Sequence, residues 1–323
     1  MEITVIITAH NRKQYLERAI KSVLNQTLGQ DHFEIIVIKN FSEPKIDSLI
    51  KENGIISILS PSDSTVGYDL SHTIEISKGE IIAFLDDDDT FTPTKLEKLL
   101  YIFQNKDIGY IKNEIFFQND EDLILSRSKR LEIEIDRKLD SVELTKKMAF
   151  LNKVKAGFNL SSISIKKEII DEKILYFLRD HLVHSTDTFF FCCGLDSGKA
   201  IYLCSERLTG YRMNESTSKK LGDDSESIQR RITFWNNLIS AYHEFSIFFG
   251  GTSREYLKTR TCSQKIAREI AKLNAGIKGS IDFSWKSCMF RALQTADSLL
   301  LYDLLRYLTA GLKQLFKSLL RSS

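Results

Sequence analysis

The chain has 323 residues, 42% hydrophobic and 27% charged, with three prolines and a formal net charge of +2. This length supplies core for one large domain or two ordinary ones, and the balance excludes a disordered or fibrous class and gives no reason to expect a nucleic-acid partner. The charge is uneven, because residues 251–323 hold 13 Lys or Arg against 5 Asp or Glu.

Residues 3–8 are a β-branched run that predicts a strand. The polar His10-Asn11-Arg12 follows, and then a helix with Leu16, Ala19, Ile20, Val23 and Leu24 on one face. Further strands are predicted over 34–38, 55–59 and 81–85, with helices near 69–77 and 94–104. Gly79 reads as a helix stop and Pro93 as the opening of the next helix. Strands alternating with helices imply an α/β fold with a doubly wound, mainly parallel, Rossmann-like sheet. From residue 108 the pattern loosens, with apolar stretches at 108–117 and 160–165 around a charged segment at 119–140. Beyond residue 218 it turns helical, with Phe234, Trp235, Leu238, Ile239 and Tyr242 at helical spacing, so a boundary is expected in the polar stretch 214–227.

Five cysteines, Cys192, Cys193, Cys204, Cys262 and Cys288, are odd in number and lack metal-site spacing, which predicts buried free thiols in a reducing compartment. Met1-Glu2-Ile3-Thr4 lacks the positive flank and apolar core of a signal peptide. No apolar run reaches the roughly 20 residues that span a bilayer. A cytoplasmic protein is expected.

The most informative segment is Asp86-Asp87-Asp88-Asp89, directly after Ile81-Ile82-Ala83-Phe84-Leu85. It presents four carboxylates at the end of a predicted buried strand, where open α/β sheets bind their ligands. Clustered hard oxygens suit Mg²⁺ or Mn²⁺, and that cation in turn suits a diphosphate. The competing reading is a solvated acidic turn.

Three segments together resemble the family 2 inverting glycosyltransferases of the GT-A fold. They are Val5-Ile6-Ile7-Thr8-Ala9-His10-Asn11-Arg12, Glu34-Ile35-Ile36-Val37-Ile38, and the run from Gly79 through the four aspartates to Pro93. The resemblance implies one GT-A domain over 1–218, with a nucleotide-sugar-binding half at 1–107 and an acceptor half at 108–218, followed by a helical C-terminal region at 219–323. It implies a donor pocket lined by Thr8, Ala9, His10, Asn11, Arg12, Asp86 and Asp87, with Asp88 on a divalent cation between two phosphates. Where the family has Asp-Asp-Gly-Ser after its second strand, this chain has Lys39-Asn40-Phe41-Ser42, which leaves the Asn40 amide to meet a base edge. The family's Arg-Asn pair is also replaced, near Ser71-His72.

An inverting transfer needs a base for the acceptor hydroxyl. Asp187, before the aromatic Phe189-Phe190-Phe191, stands where the family carries it, with Asp180 in reserve; the other reading has Asp187 cap the helix entered at Phe189. Tyr211-Arg212-Met213-Asn214 resembles the family's closing loop, with Arg212 read either as a phosphate partner or as a surface arginine, and with Asn214 where His is usual. The tail spaces Lys313, Lys317 and Arg321 four apart opposite Leu312, Leu315, Phe316, Leu319 and Leu320. Such a basic amphipathic helix suits the inner face of an anionic membrane, its own domain, or a second subunit in a homodimer. The expected activity is metal-dependent transfer of a sugar from a nucleotide-diphosphate donor to a hydroxyl of a glycan or lipid-linked acceptor. A non-catalytic binding or scaffolding protein that keeps the fold is the alternative, favoured by Lys39-Asn40.

Overall fold

The computed structural model describes residues 1–119, 121, 124, 133–213, 225–277, 282–295 and 297–322, the side chains of 225, 295 and 313–322 excepted. The chain divides into two compact units, Met1–Leu144 with Val154–Met213, and Thr145–Lys153 with Asn214–Ser323.

The first unit opens β1 (Ile3–Ala9), α1 (Leu16–Leu24), β2 (Phe33–Lys39), α2 (Pro44–Glu52), β3 (Ile56–Leu59), α3 (Val66–Ile76) and β4 (Ile81–Asp86). It continues through β5 (Thr90–Phe91), α4 (Lys95–Phe103), β6 (Ile108–Gln118) and β7 (Arg137–Leu139). The short α5 (Ser141–Lys146) ends this stretch, α6 (Met148–Lys153) belongs to the second unit, and the first resumes with β8 (Ile163–Lys166), α7 (Glu172–His181), α8 (Thr186–Asp196) and β9 (Ala200–Arg212). Strand order is β3-β2-β1-β4-β8-β6-β9-β5, with β7 also on β9. The α/β architecture read from the alternating pattern is therefore present. The additional helix α2, opened by Pro44, was not legible from periodicity.

The first four strands run parallel. Helices cover both faces of a parallel sheet, which is why β1 and β4 read as unbroken apolar runs rather than alternating ones. Their register sets Thr8 beside Asp86 and Ala9 beside Lys39, so the carboxyl ends of β1, β2 and β4 form one rim. Beyond β4 the direction reverses, because β8 pairs antiparallel with both β4 and β6. In the order β3-β2-β1-β4 the chain crosses from one side of β1 to the other, and the crevice at that switch point, at the carboxyl ends of β1 and β4, is where such sheets bind ligands.

Gly79 has a different role from the helix stop expected of it. α3 already ends at Ile76, and a β-carbon on Gly79 would lie 2.4 Å from the Thr4 nitrogen and 2.5 Å from the Ile3 carbonyl carbon. The residue is glycine because two backbones pass there, with Gly79 N donating to Thr4 Oγ1 at 2.9 Å.

In the second unit, α9 (Ser225–Phe248) packs along α10 (Gly251–Asn274), and α10 packs on α11 (Trp285–Thr295) and α12 (Ser298–Ser322). Ile266, Ile270, Cys288, Ala292, Leu300 and Leu304 form its buried core. Arg268 is buried and bonds Asn236 Oδ1 at 2.8 Å and Asp282 Oδ2 at 2.7 Å, which satisfies a charge that burial would otherwise penalise. The side chains of Lys313, Lys317 and Arg321 lie outside the described residues. Among the described residues no helix is long and apolar enough to cross a membrane.

Candidate active site

The acidic run leaves β4 as a tight turn pinned from several sides. Asp87 N donates to Thr8 O at 3.2 Å, Asp89 N to Asp86 O at 3.2 Å, and Asp86 N to Ser161 Oγ at 2.9 Å. Asp87 and Asp89 are buried, Asp86 and Asp88 partly exposed.

Burial and the three neighbouring carboxylates hold Asp86 well above the ordinary carboxyl value. Burial and the Asp88 charge push Asp89 up to about 6. Burial also pushes Asp87 up to about 7, although the Arg12 guanidinium opposes it. Burial is the common and largest cause, and repulsion among the like charges adds to it.

Arg12 supplies part of the countercharge. Its guanidinium pairs with both oxygens of Asp87 and reaches Asp88 Oδ2 at 2.7 Å. Although burial works against it, the two carboxylates hold this guanidinium above its ordinary value. Arg212 lies in β9 rather than in a loop or on the surface, and is 1% exposed. Its Nε donates to Asp88 O at 2.9 Å, its backbone N–H to Asp89 Oδ1 at 3.0 Å, and its guanidinium stacks 4.5 Å over the Tyr15 ring. Arg212 thus fixes the backbone of the acidic turn. Asn214 and the rest of the expected closing loop lie outside the described residues.

Asp187 sits in the first turn of α8, which begins at Thr186 rather than Phe189, with Ser185 as the capping position. It is therefore inside the helix and does not cap it. The helix is buried all round from Thr188 to Leu195, and its anchors are aromatic, with Phe84 and Phe190 centroids 4.5 Å apart and Phe177 stacked on Phe189 at 5.4 Å. Thr188 N donates to Asp187 Oδ1 at 2.7 Å and Asn159 N to Oδ2 at 3.1 Å, so both carboxylate oxygens are held by main chain.

Asn159 connects this carboxylate to the acidic run. Its backbone is in the left-handed region at φ 64°, which asparagine tolerates, and its Nδ2 donates to Asp89 Oδ2 at 2.7 Å. A polar chain therefore runs from Arg12 to Asp87 and Asp88, from Asp88 through Arg212 to Asp89, and from Asp89 through Asn159 to Asp187. Replacing Asn159 by Gly keeps the N–H on Asp187 and the backbone conformation but deletes the bond to Asp89. The expected cost is about 1.5–3 kcal/mol for a hydrogen bond to a charged group, measured by urea denaturation at pH 7.5. The cost should shrink at pH 5, where the Asp89 carboxyl is protonated.

At the other end of the rim, His10 is exposed, Thr8 partly buried and Ala9 buried. Asn40 does not present a free amide edge. Asn11 N donates to its Oδ1 at 2.8 Å and its Nδ2 donates to Asn11 Oδ1 at 3.1 Å, which staples the loop after β1 to the loop after β2. Lys39 is 4% exposed and is neutralised by Asp47 at 2.9 Å.

A model of the family described as glycosyl transferase family 2 matches residues 4–165. The chain belongs to glycosyl transferase family 2. It is 31% identical over 134 residues to "Uncharacterized glycosyltransferase MJ1057" of Methanocaldococcus jannaschii, covering 39% of this chain and 46% of that protein. It is 27% identical over 124 residues to "Minor teichoic acid biosynthesis protein GgaB" of Bacillus subtilis, covering 36% of this chain and 14% of that one. The chain therefore spans less than half the length of these relatives. The structure of S. aureus TarS 1–349 in complex with UDP-GlcNAc superposes with a TM-score of 0.53 at 11% identity, covering 96% of this chain and 90% of that one. At that identity the likeness shows the fold, which is of the GT-A type.

Sequence reasoning missed three residues in the surroundings of the acidic turn, Lys95, Asn159 and Ser161. Lys95 is fully buried, donates to Ser161 O at 2.6 Å and Thr209 Oγ1 at 2.9 Å, and lies 3.7 Å over the Phe91 ring. Burial and the nearby Lys112 hold it well below the ordinary lysine value. A signal existed for it, since Lys95 falls on the stripe of Leu99 and Ile102 that an amphipathic helix buries. Nothing local marked Asn159 or Ser161. Their parts come from chain that returns to β4 some 75 residues later.

Among the described residues no three His, Cys, Asp or Glu side chains form a metal-binding group. The carboxylates still fit a hard divalent cation of the kind that takes one or two protein oxygens and completes its shell with phosphate and water. Four acidic side chains face two arginines here, and burial opposes their ionisation without further positive charge.

Proposed function

We propose that this family 2 member is a metal-dependent inverting glycosyltransferase. It moves a sugar from a nucleoside diphosphate donor to a hydroxyl of a glycan or lipid-linked acceptor. The observation that carries the reading is the polar chain linking the acidic turn to Asp187 through Asn159. A diphosphate-binding turn and a carboxylate fixed by two main-chain donors are what a single displacement at the anomeric carbon requires. Asp88, with Asp86 beside the ribose, would hold Mg²⁺ or Mn²⁺, and that cation would neutralise charge on the departing diphosphate. Asp187 takes the proton of the acceptor hydroxyl as its oxygen attacks from the opposite face. Thr8, Ala9, His10, Asn11 and Arg12 line the nucleotide side, Ala9 through its main chain.

Two comparisons support the reading of donor and pathway class. TarS is crystallised with UDP-GlcNAc and with UDP. Relatives include a teichoic acid protein and the "O-antigen biosynthesis glycosyltransferase WbnJ" of Escherichia coli, 29% identical over 109 residues, covering 32% of this chain and 42% of that one. The alternative of a non-catalytic binding protein is favoured by one observation, the engagement of Lys39 and Asn40 where the family reads its base.

Thermal stabilisation against all common nucleoside diphosphates and their sugars, with Mn²⁺, Mg²⁺ or chelator, tests the donor site. Anomeric configuration of the product by NMR tests inversion. Stabilisation by one base with metal, and an inverted product, are expected; donor binding without turnover on any hydroxyl acceptor would favour the alternative.

The pH dependence of the metal effect has a worked sign. Asp87 at about 7 and Asp89 at about 6 lie above the unfolded value of about 4. The folded state then holds more protons than the unfolded state between those values, so stability without metal falls as pH rises from about 4 to 7. A cation competes with those protons. Stabilisation by Mn²⁺ should therefore grow as pH rises through 6 to 7, and a pH-independent shift would remove the acidic turn as its site.

A further inference from the structure

The helical unit holds a pair of thiols that the transfer reaction does not use. Cys262 on α10 packs against the buried core to which Cys288 on α11 belongs, which makes the two thiols neighbours. Cys288 is 2% exposed and belongs to the buried core, while Cys262 packs against that core and is partly exposed. Cys262 also lines a cavity of about 330 Å³, with His243 and Ser246 from α9, Lys258, Thr261 and Lys265 from α10, and Arg291 from α11.

We propose that Cys262 and Cys288 form an oxidation site, which closes to a disulfide when a hydroperoxide enters the cavity beside Cys262. Three observations converge on it. The thiols are neighbours in one packed core, one of them opens on a cavity large enough for a small oxidant, and Lys265 and Arg291, which also pair with Asp282 and Glu255, line that cavity with the partly exposed Cys262. The same surroundings favour the thiolate at Cys262. Contact with Cys288, and then the two cations, bring it down to about 7 against the opposing effect of burial, whereas the same contact raises Cys288. The other three cysteines are the contrast. Cys192, Cys193 and Cys204 are all buried, and burial raises Cys193 well above the thiol value and Cys204 to about 11.

The chemistry balances. The Cys262 thiolate sulfur attacks one peroxide oxygen, the O–O bond breaks, and the departing oxygen leaves as water once protonated, or as an alcohol from an organic hydroperoxide. The Cys288 sulfur then attacks the sulfenic sulfur. An S–S bond forms, the S–O bond breaks, and hydroxide leaves with the Cys288 proton as a second water. Two thiols are oxidised by two electrons in all and one peroxide is reduced. The product ties α10 to α11 covalently.

The test uses the full chain with hydrogen peroxide near pH 7.5, followed by alkylation and non-reducing peptide mass spectrometry. The expected result is one intrachain Cys262–Cys288 link, reversible by dithiothreitol, with Cys192, Cys193 and Cys204 recovered as free thiols after unfolding. Before oxidation, Cys262 should alkylate on the order of tenfold faster than those three, because the thiolate is the reactive form. Cys288→Ser should stop at a sulfenic acid trapped on Cys262 by dimedone. The proposal is overturned if Cys262 reacts no faster than the buried thiols, if it passes to sulfinic acid with Cys288 intact, or if the link forms between two chains.

Discussion

Asp187→Asn is expected to lower kcat by about 10²–10⁴-fold, the range contributed by a positioned general base, while nucleotide-dependent thermal stabilisation stays near that of the parent. The split follows from where the residue sits. Both of its oxygens accept main-chain N–H groups, from Thr188 at 2.7 Å and Asn159 at 3.1 Å, so the carboxylate cannot swing away and its orientation is set by a helix buried on every side. An amide in that position turns an N–H₂ toward one of the two donors, so part of the loss is structural. Asp187→Glu separates the terms, since it retains the charge and displaces it by one methylene. Partial recovery of turnover in the Glu variant, with the acid limb of the pH–rate profile retained, marks a base. Equal turnover in the Asn variant and the parent would remove Asp187 from that role.

Asp88→Ala is expected to abolish metal-dependent stabilisation by the donor and to reduce kcat/KM by about 10²–10³-fold, the scale of losing one preorganised charge-stabilising contact. Its fold should survive, because Arg12 keeps its pairing with Asp87 and the turn is held through the Asp88 carbonyl by Arg212, which the substitution leaves in place. Asp89→Ala is the informative contrast. Asp89 accepts Arg212 N at 3.0 Å and Asn159 Nδ2 at 2.7 Å, so its removal leaves two buried donors unpaired and should unfold the turn whether or not metal is present. Loss of metal response in the Asp89 variant alone, with the Asp88 variant intact, would move the cation away from Asp88.

The sequence alone was enough to determine the parallel core. Ile3–Ala9, Phe33–Lys39 and Ile81–Asp86 are apolar runs whose neighbours along the chain already specify a strand, and the aspartates that end the last of them needed only that strand to be placed at the rim. Asp187 was singled out by the resemblance rather than by local pattern, and the structure sets it in the first turn of a helix that begins at Thr186, not at Phe189. Tertiary structure decided what these groups meet. Arg12 and Asp87 are 75 residues apart, as are Asp86 and Ser161, and Arg212 reaches Asp88 across 124. No spacing rule relates residues brought together by a crossover. The same is true of Gly79, whose reason is the backbone of β1, and of Asn40, whose amide is spent on Asn11. Periodicity records which face of an element is buried. It cannot record which polar partner waits there, because that partner is chosen by the packing of distant chain and by the need to satisfy every buried hydrogen-bonding group.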